Sequence, residues 1–284
     1  MKLPYVVVDV FTETPLQGNS LAVFLDGPSL ETETMQRIAR EMNLSESVFL
    51  EPATLEGCVR SLRIFTPGRE MRFAGHPTIG TSFVLADQAI ASGAFQVQEK
   101  VGPVAVRVEP GDRPLVWLST PPIEFQETFD RAACAGIIGL QTDDLLDVSP
   151  QILSAGNPIL LVGLKTAELV DQAAFNFAAH RALTSHFPEP ICFFIFAPVP
   201  TGAYSRMFAP DLGLVEDPAT GSATGPLGAY MLKHKLLPGD GLGRFVSEQG
   251  KKMGRRSLLH FEVSPDGIDV GGYVTPIIEG VLTL

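Results

Sequence analysis

The sequence predicts an α/β fold of two related halves, and three observations support this prediction. The chain has 284 residues, a length that corresponds to roughly two domains. Hydrophobic residues make up 45% of it and charged residues 19%, as in a well-packed soluble protein. Three motifs also occur twice in the same order, at nearly constant separation. Such an internal repeat indicates two copies of one structural unit.

The first repeated motif is a loop of small and turn-forming residues that leads into a helix. Residues 73–82 read Phe-Ala-Gly-His-Pro-Thr-Ile-Gly-Thr-Ser, and residues 216–226 read Glu-Asp-Pro-Ala-Thr-Gly-Ser-Ala-Thr-Gly-Pro. Pro77 matches Pro218 at a separation of 141 residues (218 − 77). Proline suits a first helical turn, and the glycines let other groups approach the backbone. Both loops therefore predict a helix N-terminus whose free N–H groups can hold an anion such as a carboxylate.

The other two repeated motifs precede these loops. Residues 63–67 parallel residues 206–210 at a separation of 143 (206 − 63), and residues 18–23 parallel residues 156–162 at 138 (156 − 18). The alternative is two unrelated Gly/Pro turns, but these would not explain three matches in one order. We expect two homologous halves, each of which offers a helix N-terminus to a shared cleft.

Local patterns place strands and helices along the first half. Opening strands at 5–11 and 21–25 are rich in β-branched and aromatic residues. Apolar residues recur at i, i+3, i+4 and i+7 within residues 31–42, which predicts a helix. A second helix follows the first loop, at 83–90. The other strands of this half are expected at 48–50, 59–65, 95–100, 104–108 and 115–118.

The second half is expected to repeat this alternation. Helices are expected at 129–140 and 168–180, and an amphipathic helix is expected behind the second loop, at 227–236. Its strands are expected at 159–162, 191–197, 205–208, 244–250 and 258–263.

The Ser-Thr-Pro-Pro stretch at 119–122 marks the crossing between the halves. We therefore expect one domain at 1–118, with Glu46 and the His76 loop, and another at 119–271, with the Asp217–Ser222 loop. Residues 272–284 are expected to form a strand that returns to the first domain.

Charge and cysteine content exclude several classes of protein. The net charge of −11 argues against nucleic acid or an anionic membrane as the main partner. No apolar run reaches membrane-spanning length, and Asp9 and Glu13 interrupt the N-terminal one, which is interpreted as a strand rather than a signal peptide. The three cysteines are scattered and form no CxxC pattern. The sequence therefore predicts a cytoplasmic protein.

Three polar residues of the first half are candidates for the site. Glu46 lies at the start of a strand beside Ser45 and apolar residues, a setting that can suit a carboxyl for acid/base work. A solvated loop glutamate is the simpler interpretation from spacing alone. His76 begins a helix, whose dipole should lower its pKa and keep it neutral, although a capping or packed histidine fits equally. Asn19 could bind substrate through its amide, or serve only as a turn residue.

The predicted cleft contains carboxylates, an imidazole, hydroxyls and oriented amides, contributed by Glu46, His76, Asp217 and Ser222. The sequence lacks a GxGxxG dinucleotide motif, a phosphate-binding P-loop, an HExxH zinc motif and a GxSxG nucleophile elbow. It therefore predicts proton transfer on a small substrate that bears a carboxylate, with no cofactor and no metal.

Three motifs together resemble the PhzF-like isomerases of phenazine biosynthesis. They are Glu-Met-Asn-Leu-Ser-Glu-Ser at 41–47, Arg-Phe-Ala-Gly-His-Pro-Thr-Ile-Gly-Thr at 72–81 and the loop at 216–226. The resemblance covers essentially the whole chain. It implies a diaminopimelate-epimerase-like fold of two pseudo-symmetric domains, each a mostly antiparallel sheet wrapped round a central helix. It also implies a homodimer.

The resemblance also implies a role for each matching residue. Glu46 falls on the catalytic acid/base that moves a proton between substrate carbons, and His76 and Asp217 fall on supporting catalytic positions. The substrate, held largely by its carboxylate, is expected to contact a further set: Asn19, Ser45, Gly75, Gly221 and Ser222.

The reaction implied by the family is isomerisation of trans-2,3-dihydro-3-hydroxyanthranilate by a suprafacial hydrogen shift. Two alternatives remain open: an amino-acid epimerase or racemase, and a non-catalytic protein that binds a small ligand in the same cleft. The related epimerases use two cysteines, one from each half, as their pair of catalytic bases, whereas both loops of this chain lack cysteine. A two-thiol mechanism is therefore disfavoured.

Overall fold

The structure, a computed structural model, describes residues 1–25, 30–212 and 214–284 of the chain. These residues divide into two units, of which the first contains Met1–Ser119 and Val270–Leu284 and the second contains Thr120–Asp269. The chain thus leaves the first unit after Ser119 and returns to it at Val270, where the sequence placed the boundaries at 118/119 and 271/272.

The first unit contains nine strands and two helices among its described residues. Their bounds are β1 Lys2–Val10, β2 Asn19–Phe24, α1 Thr32–Met42, β3 Glu46–Glu51, β4 Cys58–Phe65, β5 Glu70–Met71, α2 Gly75–Asp87, β6 Ala94–Glu99, β7 Gly102–Glu109, β8 Leu115–Ser119 and the returning β17 Gly267–Thr283.

The strands of the first unit form a mostly antiparallel sheet around α2. β1 pairs antiparallel with β2 and β17, and β17 also pairs with β8. The parallel pairs are β2 with β3 and β4 with β6, whereas β3–β4, β4–β5, β6–β7 and β7–β8 are antiparallel. α2 packs against β1, β2, β3, β7 and β8, so the sheet surrounds the helix on several sides.

The second unit contains eight strands and four α-helices among its described residues, apart from the first residues of β17. Their bounds are β9 Glu124–Thr128, α3 Arg131–Ile137, β10 Gln151–Ser154, β11 Pro158–Gly163, α4 Ala167–Gln172, α5 Phe177–Thr184, β12 Cys192–Val199, β13 Gly202–Ala209, β14 Leu214–Asp217, α6 Gly221–Lys233, β15 Gly243–Gln249 and β16 Ser257–Ser264.

The strand pairings of the second unit repeat those of the first. β11–β12 and β13–β15 are parallel, and β12–β13, β13–β14 and β15–β16 are antiparallel. This is the pattern of β2–β3, β4–β6, β3–β4, β4–β5 and β6–β7, so α6 corresponds to α2. The predicted α/β fold with two pseudo-symmetric halves is confirmed.

Both central helices are rich in small residues because the surrounding sheet leaves little room. In α2, residues 75–85 are all buried. A Cβ at Gly80 would lie 2.7 Å from Leu21 Cδ2 and 2.7 Å from Val10 Cγ2, so only glycine allows this approach. In α6, nine of thirteen residues are buried. The prediction of an amphipathic helix there was wrong, because the helix is covered on most of its sides.

Two other helices are shorter than their patterns predicted. The expected helix at 129–140 is limited to α3, since Asp130 accepts a hydrogen bond from the Ala133 N–H as N-cap and Gly139 adopts a positive φ. The expected helix at 168–180 is split into α4 and α5. Asn176 starts α5 by accepting from the Ala179 N–H at 3.0 Å. Within the described ranges, no helix is long and apolar enough to cross a bilayer.

Candidate active site

Glu46 is the first residue of β3 and lies at the end of a tight turn from α1. Asn43 ends α1 in the left-handed conformation, which turns the chain towards the strand. β3 then runs parallel to β2, with Glu46 opposite Leu21. The Glu46 side chain is 12% exposed. The simple interpretation of a fully solvated loop glutamate therefore does not hold.

His76 is the second residue of α2 and faces Glu46. Its Nε2 lies 3.3 Å from Glu46 Oε2. Burial lowers the pKa of His76 to about 3, and a backbone hydrogen bond with Ser20 opposes this shift. The expected direction of the pKa shift is confirmed, but the dominant cause is burial rather than the helix dipole. The imidazole is therefore neutral at neutral pH, with one N–H and one lone pair.

Asn19 lies on the other side of the imidazole. Its Nδ2 is 3.5 Å from His76 Nδ1, and the residue is buried at the start of β2. The preceding turn is held by Asp9, a buried carboxylate that accepts hydrogen bonds from the Leu16 N–H and the Ser20 hydroxyl, both at 2.8 Å. Sequence reasoning did not identify this role of Asp9. The short Asp-Val-Phe sequence at residues 9–11 was the available signal.

In the second unit, Asp217 ends β14 immediately before the loop into α6. The residue is buried, and the Thr220 hydroxyl donates to its Oδ2 at 2.6 Å. Thr220 is the N-cap residue of α6, but its hydroxyl is engaged with Asp217 and accepts no hydrogen bond from the first turn. Ser222 is the second residue of α6 and is half-buried.

Gln249 holds this loop and was not among the predicted site residues. It is fully buried at the end of β15, where its Nε2 donates to Asp217 O at 2.7 Å and to Thr220 Oγ1 at 3.0 Å. Its Oε1 accepts from the Thr220 N–H at 3.2 Å. The sequence placed Gln249 and Gly250 at the end of the expected strand at 244–250 and gave the Gln249 side chain no role in the site. A side chain that reaches back across 29 residues leaves no local pattern.

The remaining predicted residues lie at helix starts and at one strand start. Gly75 and Gly221 are the first residues of α2 and α6, and both are buried. Ala74 and Thr220 are the N-cap residues of these two described helices. Neither side chain accepts a hydrogen bond from the first turn of its helix. Ser45 is half-buried beside Glu46. The roles of these residues in binding a substrate stay predictions.

The geometry within the first unit suits proton transfer. A carboxylate and a neutral imidazole lie 3.3 Å apart and are largely withdrawn from solvent. Either group can take up or release a proton at a nearby carbon when it lies within reach of the substrate. Within the second unit, Asp217 is a buried carboxylate whose loop is fixed by Thr220 and Gln249.

Comparison with known proteins identifies relatives that match nearly the whole chain. The family model described as phenazine biosynthesis-like protein, PhzC-PhzF, matches residues 8–280. A trans-2,3-dihydro-3-hydroxyanthranilate isomerase of Pseudomonas aeruginosa is 36% identical over 284 aligned residues, covering 97% of this chain and 98% of that one.

Solved structures also match over the full length. One described as a predicted epimerase from Pseudomonas aeruginosa superposes with a TM-score of 0.85 at 32% identity and covers 99% of both chains. A probable proline racemase from Agrobacterium radiobacter superposes with a TM-score of 0.70 at 11% identity, covering 99% of this chain and 92% of that one. At that identity the likeness concerns the fold alone, and it agrees with the diaminopimelate-epimerase-like architecture.

Proposed function

Because the chain belongs to the PhzC-PhzF family of phenazine biosynthesis-like proteins and is an isomerase, we propose that it moves a proton between two carbons of a small carboxylate-bearing substrate. The proposed chemistry is general acid/base catalysis without a cofactor. The observation that carries the proposal is the contact between the carboxylate of Glu46 and the neutral imidazole of His76, 3.3 Å apart.

Glu46 acts as the base that removes the proton and as the acid that returns it. The isomerisation needs no oxidant or reductant, because the proton leaves one carbon, the double bond shifts and the proton is added at another carbon. Neutral His76 can accept or donate a hydrogen bond beside Glu46 during the transfer without introducing a full positive charge. A well-placed acid/base group contributes on the order of 10²–10⁴-fold to the rate.

The carboxylate of the substrate is bound by the N–H groups at helix starts. The first turns of α2 and α6 lack a capping side chain among the described residues, so their amides can serve an anion. Gly75, Gly221 and Ser222 are the proposed carboxylate-binding positions. Asp217 and Asn19 orient the polar groups of the substrate, and Ser45 contributes a hydroxyl beside the base.

The proposed substrate is trans-2,3-dihydro-3-hydroxyanthranilate or a close analogue with an amine beside the carboxylate. The support is the name of the 36% identical relative, which acts on that compound. The proposed pathway is accordingly phenazine biosynthesis.

A racemase that uses two thiols is not supported by the positions of the cysteines. Cys58 lies on β4, Cys134 in α3 and Cys192 on β12, and none of the three lies in the loops that carry His76 and Asp217. Burial also raises the pKa of Cys134 to about 12, so it is an unreactive thiol.

The test is an NMR assay in deuterated water with the purified protein. Conversion of the dihydro-hydroxyanthranilate to an isomer, with deuterium at the receiving carbon, supports the proposal. A panel of carboxylated amines and amino acids is assayed in parallel. Exchange confined to the α-carbon of an amino acid would support a racemase instead, and saturable binding with no exchange in any compound would support a binding protein.

We propose further that the protein acts as a cytoplasmic homodimer. The family resemblance supports the homodimer, and the three cysteines, which form no disulfide in the described part of the chain, suit a reducing compartment. Light scattering coupled to size exclusion measures the mass directly. A mass of one 30.5 kDa chain at micromolar concentration would contradict the dimer.

A further inference from the structure

Glu99 and Gln249 occupy equivalent places in the two units. Each is the last residue of the strand that follows the central helix, β6 in the first unit and β15 in the second. β6 runs parallel to β4 and antiparallel to β7, and β15 runs parallel to β13 and antiparallel to β16. Both residues are buried, Glu99 at 4% exposure and Gln249 at 0%.

Both side chains reach back to the start of their central helix. Gln249 accepts from the N–H of the α6 N-cap residue, Thr220, and donates to the Thr220 hydroxyl. Glu99 contacts the hydroxyl of Thr78, in the first turn of α2, at 2.5 Å, and its carboxyl group also interacts with the backbone of the N-cap residue Ala74. The Gln249 amide therefore contacts the start of α6 in the second unit, as the Glu99 carboxyl group contacts the start of α2 in the first.

The hydrogen bonds of Thr78 bear on the protonation state of the Glu99 carboxyl group. The Thr78 hydroxyl has one hydrogen but lies 2.7 Å from Ala74 O and 2.5 Å from Glu99 Oε1. A carbonyl oxygen carries no hydrogen, so Ala74 can only accept. If Thr78 donates to Ala74, the hydrogen in the shorter contact comes from Glu99. If Thr78 donated to Glu99 instead, the contact with Ala74 would join two bare acceptors.

A protonated Glu99 is therefore the arrangement that leaves no acceptor facing another acceptor. Its other oxygen, Oε2, is buried and has no hydrogen-bond partner among the described residues, a position that a full negative charge would occupy only at high cost. Burial raises the pKa of Glu99 to about 8 in agreement with this geometry.

We propose that Glu99 and Gln249 are equivalent positioning residues, two neutral side chains that fix the first turns of α2 and α6. Glu99 performs this role as a protonated acid, and its helix carries Gly75 and His76. Gln249 fixes the loop of Asp217. The catalytic consequence depends on the proposed function, whereas the protonation of Glu99 and its hold on α2 do not.

Charged groups on the neighbouring elements do not account for the state of Glu99. The titratable residues of the elements packed beside it are Cys58, Arg60 and Arg63 on β4, Glu70 on β5, His76 and Asp87 on α2, Lys100 after β6, and Arg107 and Glu109 on β7. Arg63 and Lys100 bind Glu70, Arg107 binds Glu109, and His76 is neutral. Burial raises the pKa of Glu99, and the interactions with Thr78 and Ala74 oppose this shift.

Two substitutions at position 99 test whether Glu99 acts through its hydrogen bonds as a neutral acid or only fills space in the core. Glu99→Gln keeps an acceptor for Ala74 and a donor for Thr78, so kcat should stay within a few-fold of the wild type. Glu99→Met has a similar length but neither hydrogen bond, and displacement of the helix start should lower kcat by about 10- to 100-fold. The matched control is Gln96→Met, an exposed position on the same strand, which should leave kcat unchanged.

A pH series gives a readout that is independent of any substrate. The unfolded chain loses the proton of Glu99 near pH 4.5 and the folded protein only near pH 8, so the melting temperature of the wild type should fall between pH 5 and 8 more than that of Glu99→Gln, with no further loss from this residue above pH 8. The carboxyl ¹³C resonance of Glu99 should titrate well above pH 6, and the Gly75 amide resonance should shift with it.

Parallel melting curves for wild type and Glu99→Gln, or a Glu99 carboxyl that titrates near its ordinary pKa, would overturn the proposal. Wild-type kcat in a folded Glu99→Met protein would also overturn it. If no compound is converted by the wild type, the proposed function fails while the pH series still decides the state of Glu99. If Glu99→Met does not fold, the comparison of wild type with Glu99→Gln across pH remains decisive.

Discussion

Oε2 of Glu46 lies 3.3 Å from Nε2 of His76, and both side chains are largely removed from solvent. The pairing brings together the start of a strand and the start of the central helix, which are 30 residues apart in the chain (76 − 46). Because burial lowers the pKa of His76 to about 3, the partner of Glu46 at neutral pH is an uncharged imidazole. This pair is the centre of the proposed proton transfer.

The low pKa of His76 makes the folded protein less stable in mild acid. The unfolded chain binds the proton near pH 6.5, whereas the folded protein binds it only near pH 3. Stability therefore falls as the pH decreases through this window, by about 2 kcal/mol between pH 7 and pH 5 from this residue alone. Urea unfolding at several pH values measures the slope, which should be smaller for His76→Asn.

The matched control for this experiment is His186→Asn, because His186 is exposed. This variant should keep the slope of the wild type. An unchanged slope for His76→Asn would show that His76 titrates normally in the folded protein.

Removal of the negative charge from Asp217 should impair the reaction without unfolding the loop. In Asp217→Asn, the side-chain oxygen can still accept from the Thr220 hydroxyl, and the backbone oxygen can still accept from Gln249. We expect kcat/KM to fall by about 10²-fold, the lower end of the range for acid/base groups, with little change in melting temperature. Steady-state kinetics and a thermal melt measure both quantities.

Asp211→Asn is the comparison for Asp217→Asn, since Asp211 is exposed and pairs with Arg181 at the surface. Its activity should equal that of the wild type. Equal activity of Asp217→Asn and wild type would remove Asp217 from the site.

Gly80→Ala should destabilise the first unit. The new methyl group would lie 2.7 Å from Leu21 Cδ2 and Val10 Cγ2, so the sheet around α2 must shift. Overpacking of this kind costs about 1–3 kcal/mol. Gly136→Ala offers the opposite case, because Gly136 is an exposed residue of α3 and a Cβ added there would meet no atom within 4 Å. That change should stabilise by about 0.5–1 kcal/mol, and chemical denaturation of both variants checks the difference in sign.

The fold could be predicted because its repeat is visible in local motifs. The loops that begin α2 and α6 have similar composition, and the two halves show the same order of strand pairings. The boundaries of α4 and α5 could not be predicted in the same way. The Ala174 and Asn176 N–H groups bond to Ile138 O and Ile137 O, and these tertiary contacts interrupt a continuous helical pattern.

In the candidate site, too, the sequence indicated residues that lie in short motifs and missed residues whose contacts are distant in the chain. The motifs around Glu46, His76 and Asp217 are short and contiguous, so the sequence indicated them. Glu99 and Gln249 contact Thr78 and Thr220, which lie 21 and 29 residues away in the chain, and no spacing marks them. Such residues become visible only when the sheet brings the end of one strand beside the start of a helix.

The most direct test of the account is the rate of the Glu46→Gln variant in the NMR assay in deuterated water. The amide keeps the shape of the side chain but cannot take up a proton from carbon, so conversion should fall by at least about 10²-fold. Glu51→Gln, at the other end of β3, is the control and should keep the wild-type rate. Conversion by Glu46→Gln within a few-fold of the wild type would contradict the assignment of Glu46 as the acid/base.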